Sequence, residues 1–467
     1  MKETTIRIKP NLSEEYIFAI IISLVASLFS LYIVEYTKFP TISILIYSII
    51  FILFGILYFI DFQLQFIFFV VCAPIIILLK GGGYNPFHLS EIFIYFLMLL
   101  LLFQSFLLSK EKLLKKQKYL LPLTLFIVWS FLLSVFHASN LTAGLASFIT
   151  QNKYILLVVI TPLLLTSIKK IKLLLIAIII TGFFVTISSL YLFITGKGYG
   201  TLFGLENIYR IKGMFPNENM LVVYIAFILI AFVGYRLNNK KNMSNVVFDL
   251  IIIIPMILLL ILTYSRRAWI AFIIGLFILG INKKNILIKK IIILLLVVVF
   301  LSIFIVDFNS VAMRINTIFS LTYLSNLSRS MSYTIILKNI FSNFSNLFLG
   351  LGVGSIGPAS IYYNLQENYL DSYYLLIFAE FGLIGLFFYF WLLFSTLKYL
   401  WPKKNSDKSK EKVLMITCVV SSILVIICGF IGNTNISFPV NFYLWLFLGV
   451  GIALKNAEKE KYSLVKN

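Results

Sequence analysis

Two adjacent arginines in a turn between apolar runs are the first residues here that ask for a chemical explanation. They stand in Tyr264-Ser265-Arg266-Arg267-Ala268-Trp269. A guanidinium is planar, permanently charged and able to grip two phosphate oxygens at once. Two explanations stand side by side: snorkelling to lipid headgroups, or binding of a lipid-linked phosphate or diphosphate. A second basic segment lies upstream, where Arg210 and Lys212 lead into Gly213-Met214-Phe215-Pro216-Asn217-Glu218-Asn219. Pro216 fixes a turn, and Asn217 or Asn219 is placed to cap the helix that follows. Capping accounts for the asparagines but not for the two cations. A helix start also favours an anion.

The third segment is Glu367-Asn368-Tyr369-Leu370-Asp371-Ser372-Tyr373-Tyr374. Asp371 and Ser372 are natural helix N-caps. Glu367 and Asp371 are four apart, so a helical turn would set both on one face. Carboxylates beside aromatic rings suit sugar binding and general-base work. Glu380 follows inside an apolar run, in Ala379-Glu380-Phe381-Gly382-Leu383-Ile384-Gly385. An acid in hydrocarbon is a candidate functional residue, and a packing hydrogen bond is the plainer alternative. Gly382 and Gly385 permit close helix approach. The two histidines, His88 and His137, have no second ligand nearby in sequence, so no metal site is expected. No nucleotide-binding loop, acyl-transfer triad or glycine-rich phosphate cradle is present.

Composition says what kind of scaffold carries these residues. The chain has 467 residues, 61% hydrophobic and only 12% charged. Apolar runs near the length that crosses about 30 Å of hydrocarbon recur throughout. They are continuous rather than alternating, which excludes barrel strands and leaves helices. The expected architecture is an all-α, polytopic integral membrane bundle of about fourteen helices. The spans fall near 16–34, 41–60, 62–79, 89–108, 119–136, 154–168, 171–194, 219–235, 246–263, 268–281, 291–306, 373–397, 413–432 and 438–454. With the N-terminus inside, 28 of the 39 Lys and Arg residues fall on cytoplasmic segments and 11 on external loops. That asymmetry is what the positive-inside rule expects, with both termini cytoplasmic. The formal charge of +21 therefore holds orientation and does not point to nucleic acid. Cys72, Cys418 and Cys428 lie in apolar runs and suggest neither a disulfide framework nor a metal site. The first run, Tyr16 to Val34, reads as a retained span.

The bundle is expected to be one membrane domain over residues 1–467, with residues 307–372 as a long external loop between spans eleven and twelve. Apolar residues recur at helical spacing from Ser328 to Phe341, so that loop should carry an interfacial helix. Most of the positive charge is lysine. Arg210, Arg266, Arg267, Arg314 and Arg329 nonetheless fall on or near the external side, against the orientation rule.

These segments resemble the O-antigen polymerase and ligase superfamily of bacterial envelope glycan assembly. The resemblance covers roughly Arg210 to Gly385. It rests on Arg210 with the Gly213-to-Asn219 run, on Ser265-Arg266-Arg267-Ala268, and on a long loop with Arg329 near its start. That loop continues through Leu349-Gly350-Leu351-Gly352-Val353-Gly354 and leads to Asn368-Tyr369-Leu370 and the Glu380 segment. The resemblance implies a metal-independent, inverting glycosyltransferase of the GT-C type, without cofactor. It would act at the external face of the bacterial cytoplasmic membrane on a glycan carried by undecaprenyl diphosphate. Ligases of the superfamily place a histidine near the Asn-Tyr-Leu segment. This chain has Glu367 there, which favours a polymerase of repeat units for O-antigen or capsular-type polysaccharide.

On that reading Glu367, Asp371, Arg210 and Arg266 are the catalytic candidates. Arg210, Lys212, Arg266, Arg267 and Arg329 would hold the diphosphate. Asn217, Asn219, Asn368, Tyr369 and Tyr373 would bind substrate. Lipid-linked donor and acceptor and the membrane lipids are the expected partners, and a chain-length regulator is a further candidate. A ligase that moves the finished glycan to lipid A-core or another acceptor is the nearest alternative. A lipid-linked sugar flippase is the alternative from another class, disfavoured by the absence of repeats and midplane charges.

Overall fold

Uninterrupted runs of Ile, Leu, Phe and Val leave the backbone one local way to satisfy its amides, and the protein is built from helices. The computed structural model describes residues 40–78, 89–108, 117–202, 205–215, 217–238, 246–281, 324–363, 370–402, 411–433 and 438–466. Among them the first seven helices are α1 (Pro40–Ile60), α2 (Phe62–Leu78), α3 (Leu89–Leu108), α4 (Leu120–Phe136), α5 (Leu141–Asn152), α6 (Leu157–Leu164) and α7 (Ile168–Ile194). A hairpin of β1 (Tyr199–Leu202) and β2 (Leu205–Ile211) follows. Then come α8 (Glu218–Asn238), α9 (Val246–Leu262), α10 (Arg266–Ile281), α11 (Leu324–Phe341), α12 (Phe344–Leu349) and α13 (Pro358–Tyr362). The last three are α14 (Tyr373–Leu400), α15 (Glu411–Ile431) and α16 (Val440–Lys466).

Six helical stretches among the described residues are long and apolar enough to cross a membrane: Leu141–Leu164, Ile168–Ile194, Glu218–Asn238, Tyr373–Leu400, Glu411–Phe430 and Val440–Lys459. Six shorter apolar helices of 10–17 residues accompany them. This is the architecture of a polytopic helical membrane protein. The expected spans 16–34 and 291–306 lie outside the described residues. The centre of the bundle is α8, α15 and α16, which pack on one another and on α6 and α10. Residues 221–234 of α8 are buried without a break. Large apolar side chains on the outer helices, including Phe59, Phe103, Phe136, Phe277 and Phe394, are exposed, as lipid-facing residues would be.

Three features depart from the sequence expectations. The all-α expectation misses the antiparallel hairpin, in which Tyr199 pairs with Ile211 and Gly200 with Arg210. Glycines at 196 and 198 with positive φ end α7 and turn the chain into that ladder. The span expected at 154–168 begins instead at Leu141 and ends at Leu164, with a 3-10 turn at Lys153–Leu156 inside it. Asn140 caps its start by accepting a hydrogen bond from the Ala143 amide at 3.0 Å. Thr, Ser, Gln and Asn residues lower the apolarity of 142–152, which hides the helix from a hydropathy reading.

The third departure is in α14, expected as one straight span over 373–397. Gly382 has φ 68° and ψ −172°, which no α-helix contains. Tyr373 and Tyr389 have ring centroids 5.8 Å apart, and Tyr374 and Phe390 5.0 Å. In a straight helix sixteen residues span about 24 Å. The helix therefore folds back at Gly382, so that residues 373–381 lie against residues 383–390.

Candidate functional site

The first part of the site is a junction around Arg210. The hairpin returns the chain to Gly198, whose carbonyl accepts hydrogen bonds from the Lys212 and Gly213 amides at 3.0 and 2.9 Å. Gly213 has φ 58°, and a Cβ there would strike the side chain of Ser189. Phe215 then buries against Tyr224. Asn217 caps α8 by accepting from the Asn219 amide at 2.7 Å. Arg210, only 6% exposed, spends its guanidinium on three groups. Its Nε donates to the Thr263 carbonyl at 2.7 Å, one of the carbonyls left over at the end of α9. One terminal nitrogen pairs with Glu218, and the other reaches Asn219 Oδ1 at 3.3 Å. Ser265 donates to the same Asn219 oxygen at 3.2 Å. The 263–267 turn is thus stitched to the 210–219 segment, and Tyr264 within it takes φ 51°, rare for a residue with a side chain.

Arg266 is the first residue of α10. Arg267 follows, its guanidinium lying where a Cβ on Gly432 would fall, just past the end of α15. Among the described side chains of the junction Arg210, Lys212 and Arg267 stand with one acid, Glu218, so its character is cationic, and Arg266 begins α10 beside them.

Packing sets the level of this junction in the bundle. Tyr224 meets Tyr443 at 5.2 Å with the rings tilted, and Phe227 meets Phe447 edge-on at 4.2 Å, which brings the starts of α8 and α16 to one height. Gly275 meets Ile230 and Val420, which sets the start of α10 and the end of α15 at that height too. A Cβ on Gly451 would meet the Leu400 side chain at 3.0 Å and Cys418 Cβ at 3.4 Å, which puts these three residues of α16, α14 and α15 on a common base line. From that line α14 rises about 27 Å to Gly382, α15 about 20 Å to Ile431 and α16 about 16 Å to Val440, at 1.5 Å per residue. The helix ends around Arg210 and Arg267 therefore form a floor about 7–11 Å below Gly382.

The wall above that floor is the fold-back and a glycine run. Gly350, Gly352, Gly354 and Gly357 all have positive φ. A Cβ on Gly350 would lie 2.7 Å from the Glu380 backbone, on Gly352 2.6 Å from the His137 carbonyl, and on Gly354 2.5 Å from Ala143. Glycine alone allows this approach. The break at Gly382 frees carbonyls of the preceding turn. The Leu351 amide takes that of Ala379 at 2.7 Å, and Trp129 Nε1 takes that of Phe381 at 3.1 Å. Glu380, fully buried, lies at the centre. Ser147 and Gln151 donate to its Oε2 at 2.8 and 2.5 Å, and the backbone amides of Gly354 and Ile356 approach the same carboxylate. The packing reading of Glu380 describes this arrangement: it ties α5, α14 and the glycine run together.

The remaining candidates fall as follows. Glu367, Asn368 and Tyr369 lie outside the described residues. Arg329 lies in α11. Asp371 stands before α14 in non-helical backbone, so the helical turn expected to carry it with Glu367 does not include it. Ser372 occupies the N-cap position but its hydroxyl makes no capping bond. Tyr373 is buried against Tyr389. Tyr374 donates to the Ile426 carbonyl at 3.0 Å and its ring lies tilted against Phe430 at 4.4 Å, so the Tyr373 end of α14 and the Arg267 turn both meet the last turns of α15. Sequence reasoning missed Glu218 as the ion partner of Arg210, although an acid beside two cations at a span boundary was its visible signal. It also missed Ser147 and Gln151, whose i, i+4 spacing in a weakly apolar stretch was theirs.

What fold and site define is a polytopic membrane protein with a recessed cationic junction at the ends of its central helices. Residues 251–390 match a family model described as O-antigen ligase. That match supports the O-antigen polymerase and ligase superfamily and with it a glycosyltransferase-like enzyme. It takes in the Arg266–Arg267 turn, Arg329, the glycine run, Asp371, Tyr373 and Glu380; the Arg210 segment precedes it. No curated protein matches the chain.

Proposed function

We propose that the chain polymerises oligosaccharide repeat units carried on undecaprenyl diphosphate, at the external face of a bacterial cytoplasmic membrane that about fourteen spans cross with both termini inside. The observation that carries this reading is the junction of Arg210 with the Arg266–Arg267 turn, a cationic site held on rigid helix ends at recessed depth. A sugar hydroxyl of the incoming unit attacks the anomeric carbon of the growing chain and inverts it. The bond to the diphosphate breaks, undecaprenyl diphosphate leaves, and the hydroxyl proton passes to Glu367 or Asp371. Arg210, Lys212, Arg266, Arg267 and Arg329 stabilise the charge that develops on the leaving diphosphate, in place of a metal ion. One such preorganised contact commonly contributes about 2.7–4 kcal/mol. Asn217 and Asn219 act on substrate through the cap and the arginine they hold, and Asn368, Tyr369 and Tyr373 are the residues proposed to bind the sugar. A chain-length regulator is a proposed partner.

The second reading is a ligase, favoured by the description of the matched family. Glu367, where ligases of the superfamily place histidine, supports the polymerase. The glycan profile of a deletion strain separates the readings. A single capped repeat unit is the polymerase outcome. Long chains accumulating on the lipid carrier mean a ligase, and loss of all surface repeats means a flippase.

A further inference from the structure

Two buried asparagines stand at the floor of the recess. Asn433 follows the end of α15 and Asn441 lies in the first turn of α16; they are 4% and 1% exposed. Among the described residues, neither the nitrogen nor the oxygen of either carboxamide meets a hydrogen-bond partner. The same holds for Trp445 Nε1, one turn further along the Asn441 face of α16 and fully buried. Buried polar groups are almost always paired, and each left unpaired destabilises the fold. Five such atoms on these three residues at one helix boundary therefore point to something that pairs them.

Their surroundings say what. Gly432, next to Asn433, lies under the Arg267 guanidinium. Trp445 meets Tyr389 edge-on at 6.1 Å, and Tyr389 in turn meets Tyr373 at 5.8 Å. A carboxamide offers a donor and an acceptor side by side and carries no charge. That pattern matches neighbouring hydroxyls of a neutral polyol and gives nothing special to an anion. Aromatic rings supply flat apolar walls with a polar edge. The ligand that fits has an anionic part at the arginines and a neutral, hydroxyl-rich part beside it.

We propose that Asn433, Asn441 and Trp445 form a saccharide subsite that binds the sugar next to the diphosphate of the lipid-linked substrate. The assignment rests on the reading of the arginine junction as a diphosphate site. It adds that discrimination between a glycan-bearing carrier and the bare carrier comes from the α15–α16 boundary, outside the segment that matches the family.

Binding to the purified full-length protein in nanodiscs tests this. The probes are undecaprenyl diphosphate and undecaprenyl diphosphate bearing the repeat unit, extracted from a strain lacking this protein. Asn433→Ala and Asn441→Ala should each weaken binding of the glycan-bearing probe at least tenfold and leave the bare probe unchanged. Thermal stability of the ligand-free variants should match or exceed that of the wild type, because the side chains removed were unpaired. Unchanged affinity for the glycan-bearing probe overturns the subsite while the diphosphate reading stands. Loss of stability or of folding in either variant also overturns it, since the carboxamides would then hold the helix ends. If wild-type protein binds neither probe, the diphosphate reading fails and the subsite fails with it.

Discussion

Replacing Gly382 by alanine tests the link between backbone geometry and site more directly than any change to a charged residue. Its φ of 68° lies where an L-residue costs about 1–2 kcal/mol. The new methyl group would also land on the Phe348 carbonyl, which is backbone and cannot swing aside. Overpacking of this kind costs about 1–3 kcal/mol. Together the change should destabilise the fold-back by about 3 kcal/mol, more than a hundredfold in its equilibrium. Straightening α14 would part Tyr373 from Tyr389 and withdraw the Ala379 and Phe381 carbonyls from Leu351 and Trp129. The readouts are thermal unfolding of the solubilised protein and the length of surface polysaccharide on a gel, normalised to protein level. Both should fall. Gly55→Ala, in α1 with nothing near the added methyl, is the control and should hold or gain about 0.5–1 kcal/mol. Wild-type unfolding and a wild-type ladder from Gly382→Ala would refute the fold-back and the role given to it.

Further outcomes are expected. Arg266→Lys should shorten the polysaccharide sharply at normal membrane abundance, because lysine loses the second hydrogen bond to a diphosphate; a full ladder returns Arg266 to a membrane anchor. Arg210→Lys should do the same and also lower thermal stability, since lysine cannot reach Thr263, Glu218 and Asn219 together. Activity of the purified protein on lipid-linked repeat units should survive excess chelator; loss restored by magnesium or manganese would sink the arginine mechanism. A cysteine at Lys197 should react with an impermeant thiol reagent from outside intact cells and one at Lys459 should not, and the reverse would overturn the orientation.

The helices were legible in the sequence wherever a run was apolar on all sides. The starts of α1, α2, α3 and α8 fall within a residue of where hydropathy puts them. Hydropathy failed where polarity was invested in tertiary contact. Ser147 and Gln151 make 142–152 look like a loop because they face Glu380, which arrives from more than two hundred residues away. The fold-back was invisible for the opposite reason. Residues 373–400 are apolar enough to read as one rod, and a lone glycine in such a run signals close packing as readily as a turn. At the site, the clustering of Arg210 with the Arg266–Arg267 turn could be suspected from residue type alone. That Glu218 and Thr263 already hold Arg210 could not, because hydrogen bonding to the end of α9 depends on where the hairpin returns the chain.

The fold-back also bears on how the chain is assembled. As the polypeptide leaves the ribosome, residues 373–381 emerge before anything they rest on. Their supports, Tyr389 and Phe390, follow a little over two turns later in the same helix, and Ile426 and Phe430 only after α15 has been made. A reporter fused between 382 and 390 would hold a nine-residue apolar helix with no counterpart, far shorter than the ~20 residues that settle stably across a bilayer. Truncations in this window should therefore report scattered or inverted sidedness, and fusions placed beyond Ile431 a single consistent one.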